Sequence, residues 1–260
     1  MPRRRGTSAP GRGELARCRQ LHGCPMTTPP WWQAAFGPDY EQVYAHRSDD
    51  AASAEIAGLF PHLGTGPVLD ACCGNGRHLA ALQRAGITAV GFDYSANLLR
   101  SATGRSEVIG RVSRADVRAI PFAGNFSAVL VLFTAFGYFD EADNGVALAA
   151  LAGQLAPGGT LVLDLPDPAR VRAGLIPESS KSVAGLQITE QRRIDGNRVV
   201  KEVRISRPDG SVHAYTESVR LYTADEIGRL AESVGLRVSA CWPSLRGADV
   251  NEGRLVWWLS

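Results

Sequence analysis

The chain has 260 residues, 45% hydrophobic and 21% charged, which suffices for one well-buried α/β domain or one domain with an appendage. Its formal charge of +2 hides an asymmetry: residues 1–25 hold six arginines and one acid, Glu14, leaving 22 basic against 25 acidic residues elsewhere. A mildly acidic body argues against an extended nucleic-acid surface, and no apolar run reaches the roughly 20 residues of a bilayer span. Five cysteines without a C-x-x-C pair argue against zinc or a disulfide framework, so a reducing, cytoplasmic setting is expected.

Residues 1–25 are rich in Arg, Gly and Pro, lack apolar periodicity and are expected to be a disordered basic extension. A targeting peptide, a nucleic-acid tail and a reading frame extended upstream of Met26 compete to explain them, and the last is preferred. Residues 26–64 are then expected to form an N-terminal helical unit. Trp31, Trp32, Phe36, Tyr40 and Tyr44 precede His46-Arg47, reading as one or two short helices interrupted at Gly37-Pro38. Ser48 caps a helix that runs through Ile56, Leu59 and Phe60.

The organising stretch is Pro67-Val-Leu-Asp-Ala-Cys-Cys-Gly-Asn-Gly-Arg-His78. A short buried strand ends in Asp70, a tight turn carries Cys72, Gly74, Asn75 and Gly76, and a helix follows with Leu79 and Leu82 on one face and Gly86 as its stop. Such a turn brings backbone N–H groups and a helix N-terminus close to a ligand. The dinucleotide pattern G-x-G-x-x-G is broken at Leu79, and the acid four residues before Gly74 suits a ligand carrying an ammonium group. A second apolar run ends at Asp93, 17 residues past Gly76, a spacing that fits a carboxylate receiving two ribose hydroxyls. Tyr94 follows it, where an aromatic ring can lie along a base, and Ser95 caps the next helix. A third unit runs from Val112 through Asp116 and Val117 to Phe122, so that three successive strands each end in an acid.

Phe126–Phe133 reads as a central parallel strand buried on both faces, and Thr134–Asp140 follows where ligand crevices open in doubly wound sheets. Residues 141–156 read as a helix with Val146, Leu148, Leu151 and Leu155 inward, stopped by Pro157-Gly158-Gly159 before the strand Thr160–Leu165. Strand and helix alternate five times, implying right-handed crossovers. Beyond Pro168 three antiparallel strands are expected near 186–194, 198–206 and 212–222, turned by Asp195-Gly196-Asn197 and Pro208-Asp209-Gly210 and appended to the sheet. Thr223–Glu226 is a capping box, and two strands, Leu236–Trp242 and Arg254–Leu259, end the chain.

Together D-x-x-x-G-x-G, the three strand-end acids, Ile120-Pro-Phe122 and L-x-P-G-G resemble the class I S-adenosylmethionine-dependent methyltransferases, especially a bacterial branch acting on small molecules. The resemblance covers about residues 50–260, with specific motifs only in 66–165. It implies a Rossmann-like, doubly wound, seven-stranded, mostly parallel sheet over 65–260 with an antiparallel C-terminal strand pair and the added meander. It also implies S-adenosyl-L-methionine as donor, with its amino-acid part at Cys72–Gly76 and Asp70, ribose at Asp93 and adenine at Tyr94, Asp116 and Val117. The N-terminal unit becomes a lid that turns Tyr44 and Arg47 inward. Phe133, Phe136 and Tyr138 are candidates to shape the pocket, and Phe133 is counted on the donor side. His46, Tyr138, His213 and Glu217 remain alternatives for a general base, and no catalytic residue is chosen. The expected acceptor is a small molecule, with no nucleic acid and no membrane. RNA or protein methylation, donor binding without catalysis and a nicotinamide-dependent reductase stay open as alternatives.

Overall fold

In a computed structural model, residues 30–260 are described; the expectations for residues 1–25 and for the first residues of the helical unit lie outside them. Two short helices, α1 (Trp31–Ala35) and α2 (Tyr40–Val43), flank Gly37-Pro38. Helix α3 (Asp49–Leu59) starts where the Ser48 hydroxyl accepts from Ala51 N, and it ends in a 3-10 turn (Phe60–His62) that leaves Phe60 48% exposed. Next come β1 (Val68–Ala71), α4 (Arg77–Arg84), β2 (Ala89–Asp93), α5 (Ala96–Ala102), β3 (Val112–Arg114), β4 (Phe126–Val131), α6 (Glu141–Ala152), β5 (Leu155–Pro166) and α7 (Pro168–Ala173). After β6 (Glu178–Val183), β7 (Leu186–Asp195), β8 (Arg198–Ser206) and β9 (Val212–Arg220), the chain closes with α8 (Ala224–Ser233), β10 (Val238–Trp242) and β11 (Arg254–Leu259).

The main sheet has seven strands in the order β3-β2-β1-β4-β5-β11-β10. Pairings from β3 to β5 are parallel, and β11 is antiparallel to both neighbours. Alternating side chains serve opposite faces. Val68, Leu130 and Val162 meet Ile56, Leu59, Leu79 and Leu82 on one face, while Leu69, Val129, Val131 and Leu163 meet Leu148, Leu151 and Ile227 on the other. Helices therefore cover both sides, which forces the ligand crevice to the carboxyl ends of the strands.

The structure alters four details. No helix follows β3; the stretch 115–125 is turns, broken by Pro121 and by Gly124 at φ +87°. Helix α6 stops at Ala152 and Leu155 already belongs to β5, while Val146 faces outward, 49% exposed, with Asn144, Ala147, Leu148 and Leu151 inside. The meander is a separate antiparallel sheet, β6-β7-β8-β9, rather than an extension of the main one. It also has a fourth strand, β6, whose polar sequence (Glu178-Ser-Ser-Lys-Ser-Val183) carries no strand signal of its own; pairing with β7 through a tight two-residue turn, Ala184 at φ +49° and Gly185 at φ +80°, supplies it.

Candidate functional site

A cavity of about 480 Å³ opens at the carboxyl ends of β1, β2, β3 and β4, within the range of small-ligand sites. Eleven of the twelve candidate residues line it: Asp70, Cys72, Gly74 and Asn75 from the β1 turn, Asp93 and Tyr94 after β2, Asp116 and Val117 after β3, Phe133 after β4, and Tyr44 and Arg47 from the N-terminal segment. Gly76 lies outside the lining and caps α4 instead, at φ +73°, where a Cβ would meet Ala102 Cβ at 3.2 Å and Val108 Cγ1 at 3.3 Å.

The three acids differ in surroundings. Asp70 sits inside β1, 2% exposed; its Oδ2 has no partner among the described residues, and burial pushes its carboxyl up to about 7. Asp93 ends β2 and accepts from Gly74 N at 2.8 Å and Ser95 N at 2.7 Å, joining the glycine turn to the start of α5; burial raises its pKa while those N–H groups oppose the shift. Asp116 lies two residues beyond β3 and is already engaged by Arg118, whose Nη2 donates to Oδ2 at 2.7 Å and whose Nε donates to Oδ1 at 3.0 Å. That pairing holds the Asp116 carboxyl below its usual range, and the same guanidinium lies 4.4 Å over the Phe139 ring.

Phe133 and Thr134 follow β4 with φ of +56° and +62°, two consecutive non-glycine residues in the left-handed region. The fully buried Asp164 holds this corner: its Oδ2 accepts from Phe133 N at 2.7 Å and its carbonyl accepts from Thr134 N at 3.0 Å. Arg254 pairs with the same carboxylate. The Phe133 ring is surrounded by guanidinium carbons of Arg77, Arg254 and Arg47 at 4.2, 5.0 and 5.1 Å.

A buried cluster that the sequence reading missed lies behind the glycine turn. Glu55 of α3 takes a hydrogen bond from His78 at 2.7 Å and one from Arg77 at 3.3 Å. Burial pulls His78 down to about 4. Although burial opposes it, contact with His78 and Arg77 leaves Glu55 ionising below its usual range. Arg77 and His78 line the cavity, and Arg77 Nη2 is buried without a partner among the described residues. One sequence signal was available: an arginine in the first turn of a helix opposes the dipole and wants a reason.

The far wall is the N-terminal segment. It is tied to the strand ends by Glu41, which accepts from Asn75 Nδ2 at 3.0 Å and Ser101 Oγ at 2.5 Å, and by Ser95 Oγ donating to Phe36 O at 2.8 Å. It is tied to the second sheet by the Arg207–Asp39 pair, by His213 Nε2 donating to Ala34 O at 3.0 Å, and by Lys181 and Lys201 donating to Val43 O and the Tyr44 hydroxyl. Val43 packs among Leu186, Ile188, Val203 and Ile205. Phe136 is absent from the lining and packs in the core against Tyr222, whereas Tyr138 lines the cavity. Of the remaining base candidates, His46, His213 and Glu217 are not in the lining, and Glu217 pairs with Lys201 at 2.6 Å. Among the described residues no cluster of metal ligands occurs, and no helix is long and apolar enough to cross a membrane.

Residues 68–159, which contain β1 to β4 and most of this site, match the model of a methyltransferase domain. Demethylmenaquinone methyltransferase from Thermus thermophilus is 39% identical over 116 residues, 42% of this chain and 51% of that protein, so the chain spans about half the length of the curated relative it matches. The fold is shared more widely. The CcbJ methyltransferase from Streptomyces caelestis superposes with a TM-score of 0.71 at 18% identity, over 87% of this chain and 98% of that one. CalS10, an amino pentose methyltransferase from Micromonospora echinaspora solved with S-adenosylmethionine bound, does so with a TM-score of 0.65 at 23% identity, over 86% and 96%. Residues 68–159 thus read as a methyltransferase domain, and the chain shares its fold with S-adenosylmethionine-dependent methyltransferases. The proteins it resembles are methyltransferases, not nicotinamide-dependent reductases.

Proposed function

We propose that this chain moves a methyl group from S-adenosylmethionine to a small-molecule acceptor. One observation carries the reading: Asp70 Oδ2, buried and without a partner among the described residues, lies in the same cavity as Asp93 and Asp116. A buried carboxylate oxygen left unpaired is costly, and an ammonium group is the partner that would relieve it. The donor's amino-acid part carries such a group. Its carboxylate would meet Arg47 and Arg77, two guanidiniums that line the same wall, with Tyr40 and Tyr44 beside them. Asp93 would receive the ribose hydroxyls while holding Gly74 N, and Asp116 and Val117 would receive the adenine edge beside Tyr94.

The bound donor supplies an electrophilic methyl on sulfonium sulfur. The protein's task is then to align the acceptor's lone pair behind that methyl and to keep water out, which needs no covalent intermediate. The closed far wall supports the second task, and the cavity's size supports a small acceptor. The relatives point the same way, one named for demethylmenaquinone and one for an amino pentose. The test is calorimetric titration of the full chain with S-adenosylhomocysteine. Saturable one-to-one binding is expected; a folded protein that binds neither this product nor the donor overturns the reading.

A further inference from the structure

We propose that Tyr138 presents a neutral hydroxyl to the transferred methyl and is the residue that receives and orients the acceptor's nucleophile; this rests on the donor reading above. Tyr138 stands in the loop after β4, next to the β1 turn at the point where ligands enter such sheets, and it lines the cavity together with Asp70 and Cys72. Its ring is fixed from the far wall, edge-on to Trp31 at 4.7 Å and stacked with Phe36 at 6.1 Å. The backbone is fixed too, since Arg198 donates to the carbonyls of Gly137, Tyr138 and Phe139. Tyr138 is only partly buried and lines the cavity, and its hydroxyl makes no hydrogen bond with the described residues. A rigidly held ring with an uncommitted polar tip facing a ligand cavity is the arrangement expected of an orienting group.

Chemistry narrows the role. Burial first, then the nearby Tyr40, Glu217 and Cys72, push the Tyr138 phenol well above its ordinary pKa. A phenol so placed stays protonated at neutral pH: it donates one hydrogen bond and accepts others, and it does not remove a proton from the acceptor. The other base candidates lie outside the lining, His213 being bound to Ala34 O and Glu217 to Lys201. The acceptor class that suits this wall brings a free lone pair of its own, as a neutral amine does. Such a nitrogen bonds to the methyl carbon as the carbon–sulfur pair returns to sulfur, and its surplus proton leaves to water afterwards.

Two known ligands read this position without an identified acceptor. S-adenosylhomocysteine has nothing at the methyl site, whereas sinefungin carries an amine there. Both are titrated into the full-length protein and into Tyr138→Phe, which keeps the ring that Trp31 and Phe36 hold. The expected result is a loss of at least about fivefold in sinefungin affinity with a change under about twofold for S-adenosylhomocysteine. Equal losses for both ligands, or no loss for either, overturn the proposal. If Tyr138→Phe shows no melting transition, Phe36→Leu is measured instead. It keeps the hydroxyl but frees its ring, so a weakened sinefungin preference supports the proposal and an unchanged one overturns it. A wild type that fails to bind S-adenosylhomocysteine overturns the donor reading itself, and this proposal with it.

Discussion

The two walls of the cavity are held by different physics. The strand-end wall is made of backbone turns and buried acids, each fixed by a main-chain bond: Asp93 to Gly74 N and Ser95 N, Asp164 to Phe133 N. The N-terminal wall is made of aromatic side chains on two helices of five and four residues, fastened by long charged side chains such as Arg207 and Lys181. Helices that short have no independent stability. Geometry on the first wall is therefore set by the sheet, and on the second by where its fastenings let it rest. The first can bind a fixed cofactor, while the second keeps its shape only as long as its fastenings hold.

The largest effect expected from this contrast is on stability. Asp164→Ala leaves Arg254 without its carboxylate and Phe133 N without its acceptor, at a corner already in the left-handed region. A loss of about 3 kcal/mol is expected, at the low end for a broken buried pair because Arg254 keeps a quarter of its side chain in solvent. Chemical denaturation measures it, and a change within error would show that the corner is held by packing alone.

Asp93→Ala is next. It removes both the ribose acceptor and the link between Gly74 and Ser95, and S-adenosylhomocysteine affinity should fall by at least about tenfold in calorimetry.

Asp70 gives a proton-linked effect of similar size. Its carboxyl holds a proton up to about 7, and a bound ammonium favours the charged form, so ligand binding expels that proton. Affinity should climb by about tenfold as pH rises through 7 and then level off, and Asp70→Asn should make the profile flat. In the ligand-free protein the raised pKa gives the opposite trend. This group's contribution to stability is complete below about 4, where the unfolded chain also holds the proton, and is lost as pH rises through 7.

The smallest effect belongs to the N-terminal wall. Arg207→Ala removes one fastening, and donor affinity should change by less than about threefold while proteolysis near Gly37 quickens. A loss as large as that of Asp93→Ala would erase the distinction between the walls.

The same contrast explains what was legible in the sequence. The strand-end wall is local: an apolar run, an acid and glycines within a dozen residues announce it, and Asp70, Asp93 and Asp116 reach one cavity as their spacing implies. The ion pairs behind it are not local. Glu55 lies 23 positions from His78, and Asp164 lies 90 from Arg254, so no window of sequence joins them. Strand β6 escaped notice for a related reason, because its serines and lysine take their conformation from β7. Tyr44 and Arg47 were legible only through the family resemblance; what places them is contact with Lys201, 157 positions from Tyr44, and, for Arg47, with Tyr40 and the Phe133 ring.

The second sheet has its own apolar centre in Leu186, Ile188, Val203 and Ile205, and it pairs with no strand of the main sheet. Yet it carries Lys181, Lys201, Arg207 and His213, the fastenings of the N-terminal wall on that side. A graft that swaps residues 178–220 between relatives would thus replace the grip on the N-terminal wall while leaving every cavity-lining residue in place. Such a swap would alter the cavity only through where that segment comes to rest, and the strand-end acids would stay behind unchanged.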